Sequence, residues 1–431
     1  MSTILKKSTK SLAGWANYPR CKAEILAPAD RVGVRAVIFE NEQVIARGNG
    51  KSYGDASLAP KVLSTLRLNQ VLSFDTENGV IECEAGALLG DLLKVLVPAG
   101  WFFQVTPGIK EITVGGAIAS DVHGKNHPNA GCFSKHLISF ELMTASGEIK
   151  CCSRSENTTL FWQSCGGMGW TGVVLSARFQ LLKITSTTML QKTVMAKDLD
   201  GLLSAFEANR AWPYAAGWVD CTSKHWRGTV FFAEHQQART PTNPLVFSEA
   251  PKRNVPFYAP SWLLNPLSIR AHNHFFFNKK RKEEEVVTLD KYFYPLDALQ
   301  NWNRFYGKRG LVQYQFCLPE INSFAGMRQV LETIRKSQEV PFLTVLKRHG
   351  ERPPEAIHSF PIQGYSLALD FPRTRGIFEL IKKLDALVWQ LDGKIYLTKD
   401  ACSAPQMGRV NPADFGEEKF TSLLRERILA H

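Results

Sequence analysis

The chain has 431 residues, 44% of them hydrophobic, and a net charge of +12, which is enough apolar material for more than one core. No apolar run approaches the ~20 residues that span a bilayer, and the basic N-terminus lacks the apolar stretch of a secretion signal. Nine cysteines without a C-x-x-C pair, two of them adjacent at Cys151 and Cys152, argue against a disulfide framework and suit a reducing cytoplasm. The positive charge is spread along the chain without a nucleic-acid-binding motif, so nucleic acid is not an expected partner. In chain order, β-type runs at 35–39 and 43–46 come first. The second leads into Arg47-Gly48-Asn49-Gly50-Lys51-Ser52-Tyr53-Gly54. Glycines there permit positive φ and let a concave row of N–H groups approach a phosphate. Tyr53 stands where a third glycine would complete G-x-G-x-x-G, so a dinucleotide-type Rossmann turn is not the reading.

A strand at 79–83 follows, then an amphipathic helix with Leu88, Leu89, Leu92, Leu93 and Leu96 on one face, ended by Pro98-Ala-Gly100. A second glycine-rich element, Thr106-Pro107-Gly108 with Gly115, Gly116, Ala117 and Ala119, offers a small-residue surface to a flat ring or a diphosphate. His123 and His127 have a His-x3-His spacing, but Gly124 and Pro128 oppose a helix there and no metal is expected. Strands at 137–143 and 172–179 flank a third glycine-rich element, Cys165-Gly-Gly-Met-Gly169-Trp-Thr-Gly172. Strands mixed with single helices give an α+β domain.

Residues 236–282 have poor periodicity and many prolines, with Tyr258, Trp262 and Phe275-Phe-Phe277 among Arg270 and Lys279. The expectation is an irregular, mobile lid or binding loop. The basic cluster 279–282 suits a phosphate-bearing substrate or a membrane surface better than DNA. From 313 the pattern is regular: strand 313–318, helix 323–336, strands 342–348 and 362–371, helix 377–391, strand 394–397. That β-α-β-β-α-β order predicts a ferredoxin-like sheet. Tyr365, Leu367, Leu369 and Phe371 share one strand face, and Ser366, Ala368 and Asp370 share the other, which faces a ligand cavity if one exists. No internal repeat is visible.

The first loop resembles the pyrophosphate loop of vanillyl-alcohol-oxidase-type FAD domains. Together with Gly115-Gly-Ala-Ile-Ala119, His123-Gly-Lys-Asn-His127, Gly166-Gly-Met-Gly169, Tyr294-Pro-Leu-Asp297, Gln313-Tyr-Gln-Phe316, Lys347 and Thr398-Lys399-Asp400, the chain resembles the decaprenylphosphoryl-ribose oxidase family. The resemblance implies an α+β, two-domain protein. A PCMH-type FAD-binding domain (1–187, completed by about 394–431) would carry an inserted substrate domain (188–393) with the ferredoxin-like sheet and a mobile loop around 236–282.

It implies FAD held by Arg47, Gly48, Asn49, Gly50, Lys51, Ser52, Tyr53, Gly54, Thr106, Pro107, Gly108, Gly115, Gly116, Ala119, His123, Gly124, Asn126, Gly169, Gly172 and Val173. Gln313, Gln315, Lys347, Ser366 and Lys399 would meet the substrate. Lys399, Tyr53 and His123 are the catalytic candidates, and the residues do not choose a base among them. The implied reaction oxidises the C2 hydroxyl of a polyprenyl-phosphate-linked ribose to a ketone. It is the first half of a 2-epimerisation that a separate short-chain-dehydrogenase-type reductase completes, at the inner membrane face. Lys51 stands where many superfamily members carry a flavin-linked histidine, so non-covalent FAD is expected. Ala368 and Ser366 replace a cysteine and an asparagine of the mycobacterial oxidase, which opens the question of substrate. An aldonolactone or alditol oxidase working on a soluble sugar is the alternative.

Overall fold

The computed structural model describes residues 6–237, 245–249, 251–260, 262–404, 410–415 and 418–430. The first half holds two sheets. One has β1 (Lys6–Ala13) and β2 (Arg20–Ala27) as an antiparallel pair. After α1 (Arg31–Glu40) it adds β3 (Ile45–Arg47) and β4 (Lys61–Ser64), in the order β1-β2-β4-β3. The run at 35–39, expected as a strand, is therefore helix. Asp30 caps it by accepting from the Gly33 N–H, and the β-branched Val34, Val37 and Ile38 are buried at helical spacing. Their branching reads as strand, but their period of three to four is decided by the core they enter.

The second sheet is built from β5 (Val71–Asp75), β6 (Val80–Glu84), β7 (Trp101–Phe103), β8 (Leu137–Met143), β9 (Ile149–Ser153) and β10 (Val173–Lys183), with β10 at its centre. Between β6 and β7, α2 (Leu89–Leu96) buries Leu89, Leu92, Leu93 and Leu96. Each such leucine contributes roughly 1.5–3 kcal/mol of burial. The helix stops through Pro98 and a left-handed Gly100. Short helices α3 (Val114–Ala119), α4 (His127–Ala130) and α5 (Thr158–Ser164) complete this half.

One eight-stranded sheet forms the second half. Its members are β11 (Thr188–Ala196), β12 (Tyr214–Val219), β13 (Gly228–His235), β15 (Glu284–Thr288), β17 (Leu311–Pro319), β18 (Leu343–His349), β19 (Gly364–Pro372) and β20 (Lys394–Ile395). The short pair β14 (Arg253–Asn254) and β16 (Leu299–Gln300) stands apart from it. Helices α6 (Leu199–Ala208), α7 (Pro266–Asn278), α8 (Leu289–Phe293), α9 (Glu320–Ser337) and α10 (Ile377–Gln390) connect these strands.

The strand order β15-β11-β13-β12-β18-β19-β17-β20 is a duplication. Strands 17 to 20 form the expected ferredoxin-like unit. Strands 11, 12, 13 and 15 repeat its order in mirror along the sheet, and the two halves meet at Gly217 opposite Leu346. No repeat is legible in the sequence, because topology and burial are duplicated and side chains are not. Helices α6, α9 and α10 cover one face, with Phe206, Phe232, Tyr314, Leu346 and Leu369 in a shared core.

Helix α7 lies on the opposite face, where Phe276 packs on Trp218 at 4.6 Å. It falls in the segment expected to be irregular. An Asn265–Ser268 capping box and Pro266 in the first turn start it, and Asn273 anchors it by donating to Asp220 at 2.9 Å. Apolar residues on both of its faces hide its period. Parts of the expected mobile loop (238–244, 250 and 261) lie outside the described residues. The chain ends with α11 (Leu423–Ile428), whose Leu424 and Ile428 pack with Ala23, Ile45 and Trp170 of the first half.

Candidate active site

The loop after β3 is shaped from beneath. Arg47 turns its guanidinium inward and donates to Ala13 O at 2.8 Å and Ser57 O at 3.1 Å. Above it Gly50 has φ +64°, and a Cβ there would sit 2.2 Å from the Arg47 guanidinium. A Cβ on Gly54 would lie 1.6 Å from Asp400 O, so only glycine lets the loop meet the segment after β20. With the loop so held, the N–H groups of Asn49, Gly50, Lys51 and Ser52 find no protein acceptor among the described residues. They form a row of free donors of the kind that cradles phosphate. Beside them Thr113 caps α3 and Gly115, Gly116 and Ala119 leave a wall without bulk.

These loops and the inner face of the eight-stranded sheet enclose a cavity of about 600 Å³. Most residues expected around a cofactor line it: Gly48 through Tyr53, Thr106, Pro107, Gly108, Gly115, Gly116, Ala119, His123, Gly169 and Gly172. So do Gln313, Gln315, Lys347 and Lys399.

Six expected residues do not line the cavity. Arg47 and Gly54 support the loop from behind, as described above. Gly124 is pressed against Asn126 and Thr106, and Asn126 donates to Gln104 O, so both fix the backbone next to His123. Val173 is core, packed with Met143 and Leu175. Ser366 is buried behind the wall, 2.7 Å from His349 Nε2. Ala368, its neighbour on the same strand face, does reach the cavity.

Five lysines line the cavity (Lys51, Lys125, Lys291, Lys347, Lys399), and no carboxylate does among the described residues. Among the described residues the Lys347 ammonium makes no ion pair or hydrogen bond, and burial pushes its pKa down to about 8. Lys125 donates to Tyr292 O, and burial, reinforced by Lys347, lowers it to about 7. Lys51 rests over the Trp15 ring at 4.2 Å. Lys399 lies 3.9 Å over the Tyr53 ring, lowered by burial while Asp370 acts against that.

Asp370 accepts from Gln313 Nε2, and its other oxygen has no partner, nor has Gln313 Oε1. Burial raises the Asp370 carboxyl, with Gln313 and Lys399 opposing. Burial, then Asp370, holds the Tyr53 phenol well above its ordinary value, so it stays protonated.

At the other side Gln315 Nε2 lies 3.2 Å from His123 Nε2. An amide nitrogen only donates, so His123 carries its proton on Nδ1, which is buried without a partner. His349 stands 5.2 Å from His123 and 4.8 Å from His127, ring to ring. Burial depresses all three, His127 to about 3, with Lys347 adding to the effect, so they are neutral imidazoles. Among the described residues no three His, Cys, Asp or Glu side chains are arranged to hold a metal ion.

His349, Lys125 and Thr113 were not singled out as site residues from sequence, and Asp370 only as one of three residues on the strand face expected to border a cavity. Lys125 had a signal, a lysine inside the glycine- and histidine-rich run at 123–127. His349 had none, since it ends an ordinary strand.

Residues 33–153 match a family described as an FAD binding domain. The chain is 32% identical to decaprenylphosphoryl-beta-D-ribose oxidase of Mycolicibacterium smegmatis, over 93% of this chain and 91% of that protein. It is also 32% identical to an uncharacterized protein of Streptomyces coelicolor, over 73% of this chain and 89% of that one. L-gulonolactone oxidase of Bos taurus is 28% identical over 45% of each chain.

Proposed function

Because the chain belongs to the decaprenylphosphoryl-β-D-ribose oxidase family and is an FAD-dependent oxidoreductase acting on a hydroxyl group, we propose that it oxidises the C2 hydroxyl of a polyprenyl-phosphate-linked pentose to the 2-keto sugar. The residues present fit FAD: free N–H groups from Asn49 to Ser52 suit its diphosphate, and the bare wall at Gly115, Gly116 and Ala119 suits a flat ring. When bound, FAD accepts the hydride that leaves the carbinol carbon. No histidine or cysteine stands between Gly48 and Gly54, which supports a dissociable cofactor.

The observation that carries the substrate reading is the cavity wall, which among the described residues has five lysines, no carboxylate and a Lys347 without an ion pair. A lysine there offers a point charge to the phosphate of the substrate. Tyr53, kept protonated, orients the reacting oxygen by donating to it. Lys399, 3.9 Å over the Tyr53 ring and made more acidic by burial against the pull of Asp370, is the lysine placed beside Tyr53 to take the alcohol's proton in its neutral form. Gln313 and Gln315 hold Asp370 and His123 in place. The keto product leaves for a separate reductase of the short-chain-dehydrogenase type.

The test is anaerobic bleaching of the visible flavin band of the purified holoprotein. Polyprenyl-phosphate ribose should bleach it, and acid should release the flavin to the supernatant. Bleaching by a soluble aldonolactone or alditol, and not by the lipid phosphate, would replace this substrate class with the alternative one.

A further inference from the structure

Among the described residues, seven large apolar side chains are more than two-thirds exposed, and four of them lie between 257 and 275: Phe257 (79%), Trp262 (71%), Leu267 (79%) and Phe275 (75%). Scattered single exposures are ordinary; a cluster needs an explanation. On α7 the outer stripe Leu267, Arg270, Ala271, His274 and Phe275 runs at helical spacing, while Ile269 and Asn273 are buried beneath it. Among the described residues, packing within the chain accounts for the inner stripe and leaves the outer one exposed.

Residues 251–282 contain seven Lys or Arg and no Asp or Glu. Of these, Arg253, Arg270, Lys279, Lys280 and Lys282 are exposed and make no ion pair among the described residues. The segment thus carries exposed aromatic and aliphatic side chains together with cations that make no ion pair among the described residues, with Glu283, Glu284 and Glu285 following directly after Lys282. That combination suits an anionic lipid surface, where apolar groups enter the acyl boundary and lysines meet headgroups. No helix among the described residues is long and apolar enough to cross a membrane, so contact from one side is the geometry in question. The same helix also lines the cavity through Phe276, so the patch borders the site.

We propose that the outer face of α7, with Phe257 and Trp262, docks the protein on an anionic bilayer and sets the cavity against the leaflet. This rests on the reading of a lipid-linked substrate for what would be delivered there, but not for the docking itself.

The experiment is co-sedimentation of the holoprotein, without sugar substrate, with vesicles of equal parts phosphatidylglycerol and phosphatidylcholine. The wild type should partition to them far better than to phosphatidylcholine alone, and salt should weaken the binding. Lys279→Glu with Lys280→Glu should lose at least roughly 5-fold per charge. Leu267→Ser with Phe275→Ser should lose roughly 10-fold or more. Unchanged partition in both variants would overturn the proposal. So would a concentration-dependent dimer abolished by the same changes, which would give the patch to a second copy. Vesicle binding that survives while lipid-phosphate ribose fails to bleach the flavin would refute the substrate reading and leave the docking surface standing.

Discussion

Replacing Lys347 by methionine should make the substrate-free protein more stable while weakening its grip on a phosphate-bearing substrate. In the free protein the Lys347 ammonium has no counter-ion among the described residues, and burial lowers its pKa from the ordinary 10.5 to about 8. At ~1.4 kcal/mol per tenfold change in acidity, that burial costs about 3 kcal/mol at pH 7. The side chain is enclosed by protein yet only partly buried by surface area, since it borders the cavity. Some hydration is therefore kept and about 3 kcal/mol is an upper bound.

The sign follows from proton counting. Below pH 8 both folded and unfolded chains carry the charge and the full penalty is present. Between pH 8 and 10.5 the unfolded chain holds more protons, so wild-type stability rises relative to Lys347→Met and the gap closes. Urea unfolding of both proteins at pH 7 and pH 10 measures this. KM for the lipid phosphate should rise roughly 10- to 100-fold in the variant, the worth of a charge-assisted contact. A variant less stable than wild type at pH 7, with a gap independent of pH, would refute the account of Lys347 as an unanswered cation.

Lys110 bonds the buried Asp290 and lies 3.2 Å from Glu249, tying the two halves together. Lys110→Met should cost about 3–5 kcal/mol by removing the cation that answers the buried Asp290 carboxylate, and adding Asp290→Asn should recover part of it, read by thermal melts. The neutral His123, His127 and His349 should make the fold acid-sensitive. Below pH 6.5 the unfolded chain takes up protons these rings refuse, so stability falls with pH at a slope approaching ~4 kcal/mol per unit from the three together. His349→Phe should cut about a third of that slope in urea midpoints taken from pH 7 to pH 5; an unchanged slope would mean the ring is charged when folded.

Much of the site was legible because its chemistry needs residues that leave marks in sequence. Glycines forced by close approach, such as Gly50 and Gly54, cannot be replaced by anything bulkier, and they mark the loop. The alternation at 365–371 announced which face of β19 is core. What was not legible depends on the partner surface. The helix at Arg31–Glu40 reads as strand until the core on its Val34 and Val37 side is known. Helix α7 reads as irregular because its outer apolar stripe obscures its inner one. The face that Asp370 occupies was legible but its bond to Gln313 was not, and His349 becomes a site residue only when β18 sets it beside His123. Ser366 shares a strand face with Ala368 but ends behind the wall, bonded to His349.

The two half-sheets of the second half are each hydrogen-bonded ladders in their own right, stitched at Gly217 and Leu346. Such a seam is an adjustable waist. Ala216 and Trp218 on one side and Thr344, Val345 and Lys347 on the other border the cavity across it. A Cβ on Gly217 would meet Phe206 at 3.2 Å and Leu346 at 3.4 Å. Those two side chains belong to the core under α6, α9 and α10, so bulk at Gly217 would wedge the seam from the core side. Changes at Ala216, Trp218, Val345 or Lys347 would instead alter the cavity directly while both ladders stay whole.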